Sequence, residues 1–122
     1  MTEKAPKPIG PYSQAVIESE FIFVSGQGCI NPLTGRLELG DVRSETTRVF
    51  ENLRAILHAA GSSLDHVLKC NVYLRDINDF AAMNEVYEGV FSAPFPARTT
   101  IQAGALPGGI AVEIECIAKK GK

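Results

Sequence analysis

Arg98 is the residue whose type and context best suit binding of an anion. It follows the run Phe95-Pro96-Ala97 and opens a predicted strand, where Pro96 restricts the backbone. A guanidinium fixed on a strand can hold a carboxylate through two parallel hydrogen bonds. The alternative is an internal ion pair with Glu113 or Glu115, and composition alone favours that alternative.

Glu113 and Glu115 form the second candidate group, because they lie two residues apart on a predicted strand. The rise of a strand places them about 6.5–7 Å apart. Such a separation suits an acid/base pair acting around a water molecule. A plain charged strand face explains the same pattern, and spacing alone favours that explanation.

The sequence does not indicate a catalytic triad or dyad, or a metal site. His58 lies late in a predicted helix and His66 opens a strand, and neither has a motif partner. The three cysteines, at positions 29, 70 and 116, are far apart and form no C-x-x-C, so no metal site and no disulfide framework is predicted. The glycine-rich stretches match neither the P-loop nor the dinucleotide-binding motif and are interpreted as turns.

These residues are positioned by seven predicted elements in the order ββαβαββ. They are strands near 12–18, 21–26, 66–74, 98–104 and 110–118, and helices at 42–60 and 79–91. Asp41 is the predicted N-cap of the first helix and Gly61 follows its end, while Pro94 and Pro96 stop the second helix. No linker divides the chain, so residues 1–122 are predicted to form one two-layer α+β domain, with both helices on one face of a mixed sheet.

The register of the last two strands follows from a predicted hairpin turn at 106–109. Position 105 would then face position 110. The residues expected together on one face are Arg98, Thr100, Gln102, Glu113 and Glu115. Those expected beneath the helices are Thr99, Ile101, Ala103, Val112, Ile114 and Cys116.

The face of the sheet away from the helices is predicted to mix apolar and charged groups. Its predicted members are Val67, Tyr73 and Ile117 among Lys69, Asn71, Glu113 and Glu115. The run Phe21-Ile22-Phe23-Val24 is apolar at every position, which implies burial on both faces. Two helices on one side cannot cover the second face, so we expect a subunit interface there.

Composition excludes several classes of function. The chain has 45% hydrophobic and 21% charged residues, which is ordinary for a soluble globular protein. Its net charge of −2 gives no electrostatic footprint for nucleic acid. The longest apolar stretches, of four or five residues, are too short to span a membrane, and the first eight residues lack a signal-peptide pattern. We therefore expect a cytoplasmic protein that binds neither nucleic acid nor membrane.

Nearly the whole chain resembles the RidA/YjgF family. The stretches that carry the resemblance are IGPYSQA (9–15), VSGQ (24–27), NPLTG (31–35), NDFAAMNEVY (78–87), FPAR (95–98), ALP (105–107) and VEIE (112–115). The FPAR run, continued by the two later stretches at the family's spacing, is the most specific of them. The resemblance implies a chorismate-mutase-like fold assembled as a homotrimer, with three clefts between subunits.

The resemblance also implies an activity. Members of the family hydrolyse reactive enamine and imine acids, 2-aminoacrylate and 2-iminobutanoate, to 2-keto acids and ammonia, and they use no cofactor. This chain would then be a hydrolase of amino-acid metabolism, a 2-iminobutanoate/2-iminopropanoate deaminase, whose partners are a small imino or keto acid and copies of itself. Two alternatives are a non-catalytic keto-acid-binding or holdase-like module and an endoribonuclease or translation inhibitor.

Individual residues match the family's functional positions. Arg98 stands where the family has its carboxylate-binding arginine, and Glu113 matches the carboxylate that orients the attacking water. Tyr12 matches a pocket position, and we expect it to close the cleft during catalysis. The remaining matches to substrate-binding positions are Ser25, Gly26, Asn84 and Thr100. Thr100 is a departure, because many members have cysteine there; if only its backbone N–H touches substrate, activity survives.

Overall fold

The computed structural model describes residues 1–121. Within that range the chain forms five strands and two helices: β1 (Ala15–Glu18), β2 (Phe21–Gln27), α1 (Val42–Ala59), β3 (Val67–Leu74), α2 (Phe80–Val90), β4 (Ala97–Gln102) and β5 (Val112–Lys119). The predicted order ββαβαββ is confirmed. Neither helix combines the length and the hydropathy that crossing a membrane would require.

The strands form one mixed sheet in the order β1-β2-β5-β3-β4. β5 runs antiparallel to both of its neighbours, β2 and β3, while β4 adds to the edge of β3 in parallel. α1 and α2 contact each other and share one hydrophobic core with one face of the sheet. The buried sheet residues of this core include Ile22, Val24, Cys70, Val72, Ile114 and Cys116. The two-layer α+β architecture is therefore confirmed.

α1 begins and ends where the sequence predicts. The side chain of Asp41 accepts a hydrogen bond from the backbone N–H of Ser44 at 2.8 Å, which satisfies one of the free amides of the first turn. Gly61 follows the last turn with a φ of 82°, a conformation that favours glycine. The apolar side chains of α1 recur at helical spacing and are buried: Val49, Phe50, Leu53, Ile56 and Leu57.

The pairing of β4 differs from the predicted hairpin. β4 pairs with β3, placing Arg98 opposite Cys70, and does not pair with β5. The segment between β4 and β5 instead passes over the end of β3. Arg75, just after β3, holds this segment, because its backbone N–H donates to Ala111 O at 2.9 Å and its Nη1 donates to Gly109 O at 2.7 Å.

The prediction that Arg98, Thr100, Gln102, Glu113 and Glu115 share one face of the sheet is therefore wrong. Arg98 lies opposite Cys70, which lies opposite Cys116, and both cysteines are buried beneath the helices. Glu113 is three positions from Cys116, so the alternation of a strand directs it to the other face. The five residues divide between the faces: Arg98, Thr100 and Gln102 lie on the helix side, and Glu113 and Glu115 lie on the far side.

We call the sheet surface away from the helices the open face. It carries Val16, Phe23, Ile117, Asn71, Glu115, Tyr73, Glu113, Thr99 and Ile101. The side chains of Phe21 and Phe23 are 41% and 45% exposed, although Ile22 and Val24 beside them are buried. The burial on both faces that the sequence predicts is therefore not reached within one chain.

Two details of this face correct the sequence prediction. Val67 was expected on the open face, but it is buried in the core, while Leu68 is exposed. The cause is a shift of register between Val67 and Lys69, which reverses the alternation at the start of β3. Thr99 and Ile101, expected beneath the helices, lie on the open face because β4 pairs with β3.

Candidate functional site

The guanidinium of Arg98 lies between β4 and α2. Its Nη1 donates a hydrogen bond to Asn84 Oδ1 at 2.7 Å. Its Cζ lies 4.6 Å from the centroid of the Tyr87 ring and 5.4 Å from that of Phe80. These three α2 residues recur at spacings of three and four, so they share one face of the helix. One amide and two cation–π contacts thus fix the orientation of the guanidinium.

Arg98 has no carboxylate partner among residues 1–121. The ion pairs found in that range involve Arg43, Arg48 and Lys119. The prediction, favoured by composition, of an internal ion pair between Arg98 and Glu113 or Glu115 is therefore wrong. A guanidinium has five N–H donors, and one bond to Asn84 leaves most of them available to an incoming carboxylate.

A cleft of about 260 Å³ opens beside this guanidinium. We call it the arginine cleft; its lining residues are Asn84, Tyr87, Glu88, Phe95, Pro96 and Arg98. The aromatic rings of Tyr87 and Phe95 contribute apolar walls, while Arg98 and Asn84 contribute hydrogen-bonding groups. This combination of apolar walls and a few polar groups is typical of a small-molecule site, and an arginine in it suits a carboxylate.

A second cleft of about 300 Å³ contains Glu113. We call it the glutamate cleft; its lining includes Tyr12, Gly26, Gly28, Ile30, Ile110 and Glu113. Tyr12, one of its lining residues, is 48% exposed, and its hydroxyl accepts a hydrogen bond from the backbone N–H of Ile9 at 3.3 Å. Tyr12, Gly26 and Glu113, which the sequence analysis selected separately, are thus brought together.

The carboxylate of Glu113 lies directly against the backbone of Gly26. A Cβ at position 26 would overlap Glu113 Oε2, so no larger residue fits without moving the carboxylate. Position 26 falls in an irregularity of the β2–β5 pairing, between Val24 and Gln27. The bulge and the glycine together admit the carboxylate to the cleft.

The electrostatic environment of Glu113 disfavours its charged form. Burial, and then the nearby charge of Glu115, raise the pKa of Glu113 above the usual range for glutamate. Both carboxylate oxygens of Glu115 are hydrogen-bonded: they accept from Asn71 Nδ2 at 3.1 Å and from the Tyr73 hydroxyl at 3.2 Å. Within residues 1–121 no hydrogen bond to the Glu113 side chain is found, so its oxygens are available to a water molecule or a ligand.

Ser25 and Thr100 do not line either cleft with their side chains. The hydroxyl of Ser25 donates to Ser13 O at 2.6 Å, and its backbone N–H donates to Gln14 O at 3.0 Å, so Ser25 ties the approach of β1 to β2. Thr100 Oγ1 is buried, and no hydrogen-bond partner for it is found in the described part of the chain. Thr100 lies on the same side of the sheet as Arg98, two residues farther along β4.

The structure divides the predicted site residues into two groups. Arg98 and Asn84 lie together on the helix side, and Tyr12, Gly26 and Glu113 lie together at the open face. Phe80 and Tyr87, whose rings hold the guanidinium, were not predicted as site residues from the sequence. Their spacing on α2 was visible in the sequence, but an apolar stripe at helical spacing predicts a core contact first.

No group of three or more His, Cys, Asp and Glu side chains within residues 1–121 is arranged to hold a metal ion. The three cysteines are free and buried. Burial raises the pKa of Cys70 to about 11, so its thiol is not prepared for nucleophilic attack at neutral pH. What the described residues offer is a guanidinium without a carboxylate partner and a partly buried carboxylate.

Known proteins resemble this chain over nearly all of its length. The profile of the family described as endoribonuclease L-PSP matches residues 2–120. A RutC family protein of Pyrococcus abyssi is 54% identical over 119 residues, which cover 98% of this chain and 94% of that protein. The 2-iminobutanoate/2-iminopropanoate deaminase of Capra hircus is 48% identical over 120 residues, which cover 98% of this chain and 88% of that protein. The crystal structure of RidA from an Antarctic Psychrobacter species superposes with a TM-score of 0.94 at 46% identity, covering 98% of this chain and 96% of that one.

Proposed function

Because this chain belongs to the RidA/YjgF family, we propose that it is a hydrolytic deaminase of reactive enamine and imine acids. Its substrates would be 2-aminoacrylate and 2-iminobutanoate, and its products 2-keto acids and ammonia. The observation that carries the proposal is the state of Arg98. Its guanidinium is oriented by Asn84 and two rings, faces a cleft, and has no carboxylate partner among the described residues.

Arg98 would bind the carboxylate that all these substrates share. A fork of two parallel N–H donors matches the two oxygens of a carboxylate. The ring of Tyr87 lies against the guanidinium and reduces its contact with water, which strengthens a charge-assisted bond. Asn84 would hold the arginine in the binding orientation and add a polar contact of its own.

Glu113 cannot reach a substrate that Arg98 of the same chain holds, because the two side chains lie on opposite faces of the sheet. We propose that a neighbouring chain supplies the missing half: the arginine cleft of one subunit meets the glutamate cleft of the next. A head-to-tail contact of this kind closes into a ring of three when each subunit is rotated by about 120° relative to the next. The exposed apolar side chains of the open face, among them Phe23 and Ile101, are suited to such an interface.

The chemistry requires few groups, because an imine carbon is already electrophilic. In the proposed mechanism, ionised Glu113 orients a water molecule and accepts its proton as the oxygen attacks C2. The imine nitrogen takes that proton, which gives the neutral amino alcohol. Glu113 then passes the proton of the new hydroxyl group to the nitrogen as the C–N bond breaks, and the keto acid and ammonia leave. With 2-aminoacrylate, a proton first moves from nitrogen to C3, which gives 2-iminopropanoate. Positioning and proton transfer account for such catalysis without an activated nucleophile. Tyr12 would close the cleft, and the backbone at Gly26 and Thr100 would complete the contacts to substrate. Ser25 would support them indirectly, because its hydroxyl and its backbone N–H are engaged by Ser13 O and Gln14 O.

Two other functions compete with this proposal. A non-catalytic keto-acid-binding module would use the same clefts, and Arg98 is compatible with it. An endoribonuclease is suggested by the family's description. The net charge of −2 disfavours that activity, because RNA binding relies on basic surfaces.

The deciding experiment supplies the unstable imine continuously. A threonine dehydratase generates 2-iminobutanoate in situ, and the release of 2-ketobutanoate is followed with and without the purified protein. We expect the wild type to accelerate release, and the Arg98→Ala variant to do so far less. Binding of 2-ketobutanoate without acceleration would favour the binding module. RNA cleavage that survives further purification would favour the ribonuclease.

A further inference from the structure

Glu45 is a buried carboxylate in the first turn of α1, outside both clefts. Its side chain is 1% exposed. Oε1 accepts a hydrogen bond from the backbone N–H of Ala111 at 2.8 Å, and Oε2 accepts one from Gly40 N–H at 3.2 Å. No ion pair to it is found within residues 1–121. Burial of a carboxylate is costly, and here backbone donors and the helix N-terminus offset the cost.

The bond to Ala111 fixes the start of β5. Ala111 precedes β5 by one residue and Glu113 by two. The pairing of β2 with β5 ends at Gln27 and Ile114, so on that side no strand partner reaches the residues that carry Glu113. On the β3 side, Glu113 is paired with Tyr73, and Ala111 O accepts from Arg75 N–H. The carboxylate of Glu45 therefore supplies a tether on the other side, where β2 supplies none.

The opposite wall of the glutamate cleft is held from the same helix. Asn52, two turns after Glu45, is fully buried, and its Nδ2 donates to Gly28 O at 3.1 Å and to Ile30 O at 2.9 Å. Gly28 in turn lies close against Ile110, since a Cβ at position 28 would be 2.8 Å from Ile110 Cδ1. α1 thus anchors both segments that enclose Glu113.

We propose that Glu45 is a positioning residue for the deaminase reaction, which fixes Glu113 in the geometry needed to orient the attacking water. This inference rests on the proposed function. Glu45 touches neither substrate nor water; it acts through Ala111 and the start of β5. Because Arg98 binds the substrate carboxylate on another face, loss of the tether is expected to lower kcat and leave KM nearly unchanged.

The test separates the reach of the side chain from its charge. Glu45→Gln keeps the length and an acceptor for Ala111 N–H, whereas Glu45→Asp keeps the charge but is one methylene shorter. We expect Glu45→Asp to lower kcat about tenfold or more with KM within about twofold, since a displacement of about 1 Å can cost a hundredfold. Glu45→Gln should stay within about threefold of the wild type, because the bond to Ala111 is retained. Glu51→Gln, on the exposed side of α1, is the matched control and should behave as the wild type.

A double-mutant cycle shows whether Glu45 acts through Glu113. In a Glu113→Gln background, Glu45→Asp should cause little further loss of kcat, because effects that pass through one residue are not additive. An undiminished loss in that background would overturn the proposal. So would wild-type kcat in Glu45→Asp, or an equal loss in Glu45→Gln and Glu45→Asp.

Folding of each variant is checked by thermal melting and by counting active sites. Glu45→Met, which keeps the volume and removes the acceptors, replaces Glu45→Asp if that variant does not fold, with the same expectation. Failure of both to fold would assign Glu45 to stability alone and overturn the proposal. A wild type without turnover would instead contradict the proposed function, and this outcome is distinct from an active enzyme that is insensitive to Glu45→Asp.

Discussion

The guanidinium of Arg98 and the carboxylate of Glu113 emerge from opposite faces of the same sheet. Arg98 shares the helix side with Cys70 and Cys116, while Glu113 points away from the helices over Gly26. A small imino acid held by Arg98 therefore cannot also contact Glu113 of its own chain. If both residues act in one reaction, each site needs two chains.

This separation predicts that two inactive variants complement each other. Arg98→Ala retains an intact glutamate cleft, and Glu113→Gln retains an intact arginine cleft. Subunits mixed one to one and exchanged at random give about a quarter of sites with both intact halves in a cyclic assembly. We expect the mixture to recover about that fraction of wild-type activity, measured as release of 2-ketobutanoate after refolding together.

The control for this experiment is each variant refolded alone, which should remain inactive. Light scattering on the wild type should report a mass three times that of the 13.1 kDa chain. A mixture without recovered activity, from variants that fold and assemble, would place each site within one chain. A monomeric wild type would contradict the shared site as well.

The role of Arg98 predicts a loss of catalytic efficiency on truncation. A charge-assisted hydrogen bond contributes about 1.5–3 kcal/mol, so Arg98→Ala should lower kcat/KM at least about tenfold. The kcat/KM of Arg98→Lys should lie between those of the wild type and Arg98→Ala, because lysine keeps the positive charge but loses the two parallel N–H donors. Arg54→Ala, an exposed arginine on α1, is the matched control and should leave kcat/KM unchanged. Equal kcat/KM in the wild type and Arg98→Ala would rule out the assigned role.

The sequence predicted the elements and their order because their signals are local. The buried apolar side chains of α1 recur at helical spacing, and Asp41 and Gly61 mark its ends; both marks were confirmed. The resemblance to the RidA/YjgF family, carried by the FPAR run and its neighbours, was also confirmed.

The pairing of β4 was not predictable from turn chemistry. Gly108 and Gly109 both have positive φ, as a hairpin turn would require, yet the segment crosses the end of β3. What decides the pairing is that β5 lies between β2 and β3, a long-range choice that no local pattern encodes. A mistaken strand pairing can move every side chain of a strand to the other face, and this is why the predicted face of Arg98 was wrong. The choice of Arg98 as a candidate site residue did not depend on that pairing.

The raised pKa of Glu113 predicts how kcat responds to acid. Glu113 must be ionised to accept a proton from water, and burial and Glu115 raise its pKa above the usual glutamate value. Activity is therefore present above that raised pKa and is lost as the pH falls through it. Glu115→Gln removes one of the two causes, so the acid limb of the kcat–pH profile should move to lower pH. A limb that stays in place or moves upward would mean that Glu113 is not the group that titrates.

The buried hydroxyl of Thr100 predicts a variant that is more stable than the wild type. Oγ1 is buried without a partner among the described residues, and an unsatisfied polar group of this kind costs about 1–3 kcal/mol. Thr100→Val keeps the shape and removes that cost, so we expect the free energy of unfolding in urea to rise by about 1 kcal/mol. Thr46→Val is the matched control and should lose stability, because the buried Thr46 hydroxyl donates to Val42 O at 2.6 Å. If only the backbone N–H of Thr100 contacts substrate, kcat/KM of Thr100→Val stays within about threefold of the wild type; a tenfold loss would show that the hydroxyl itself binds the substrate.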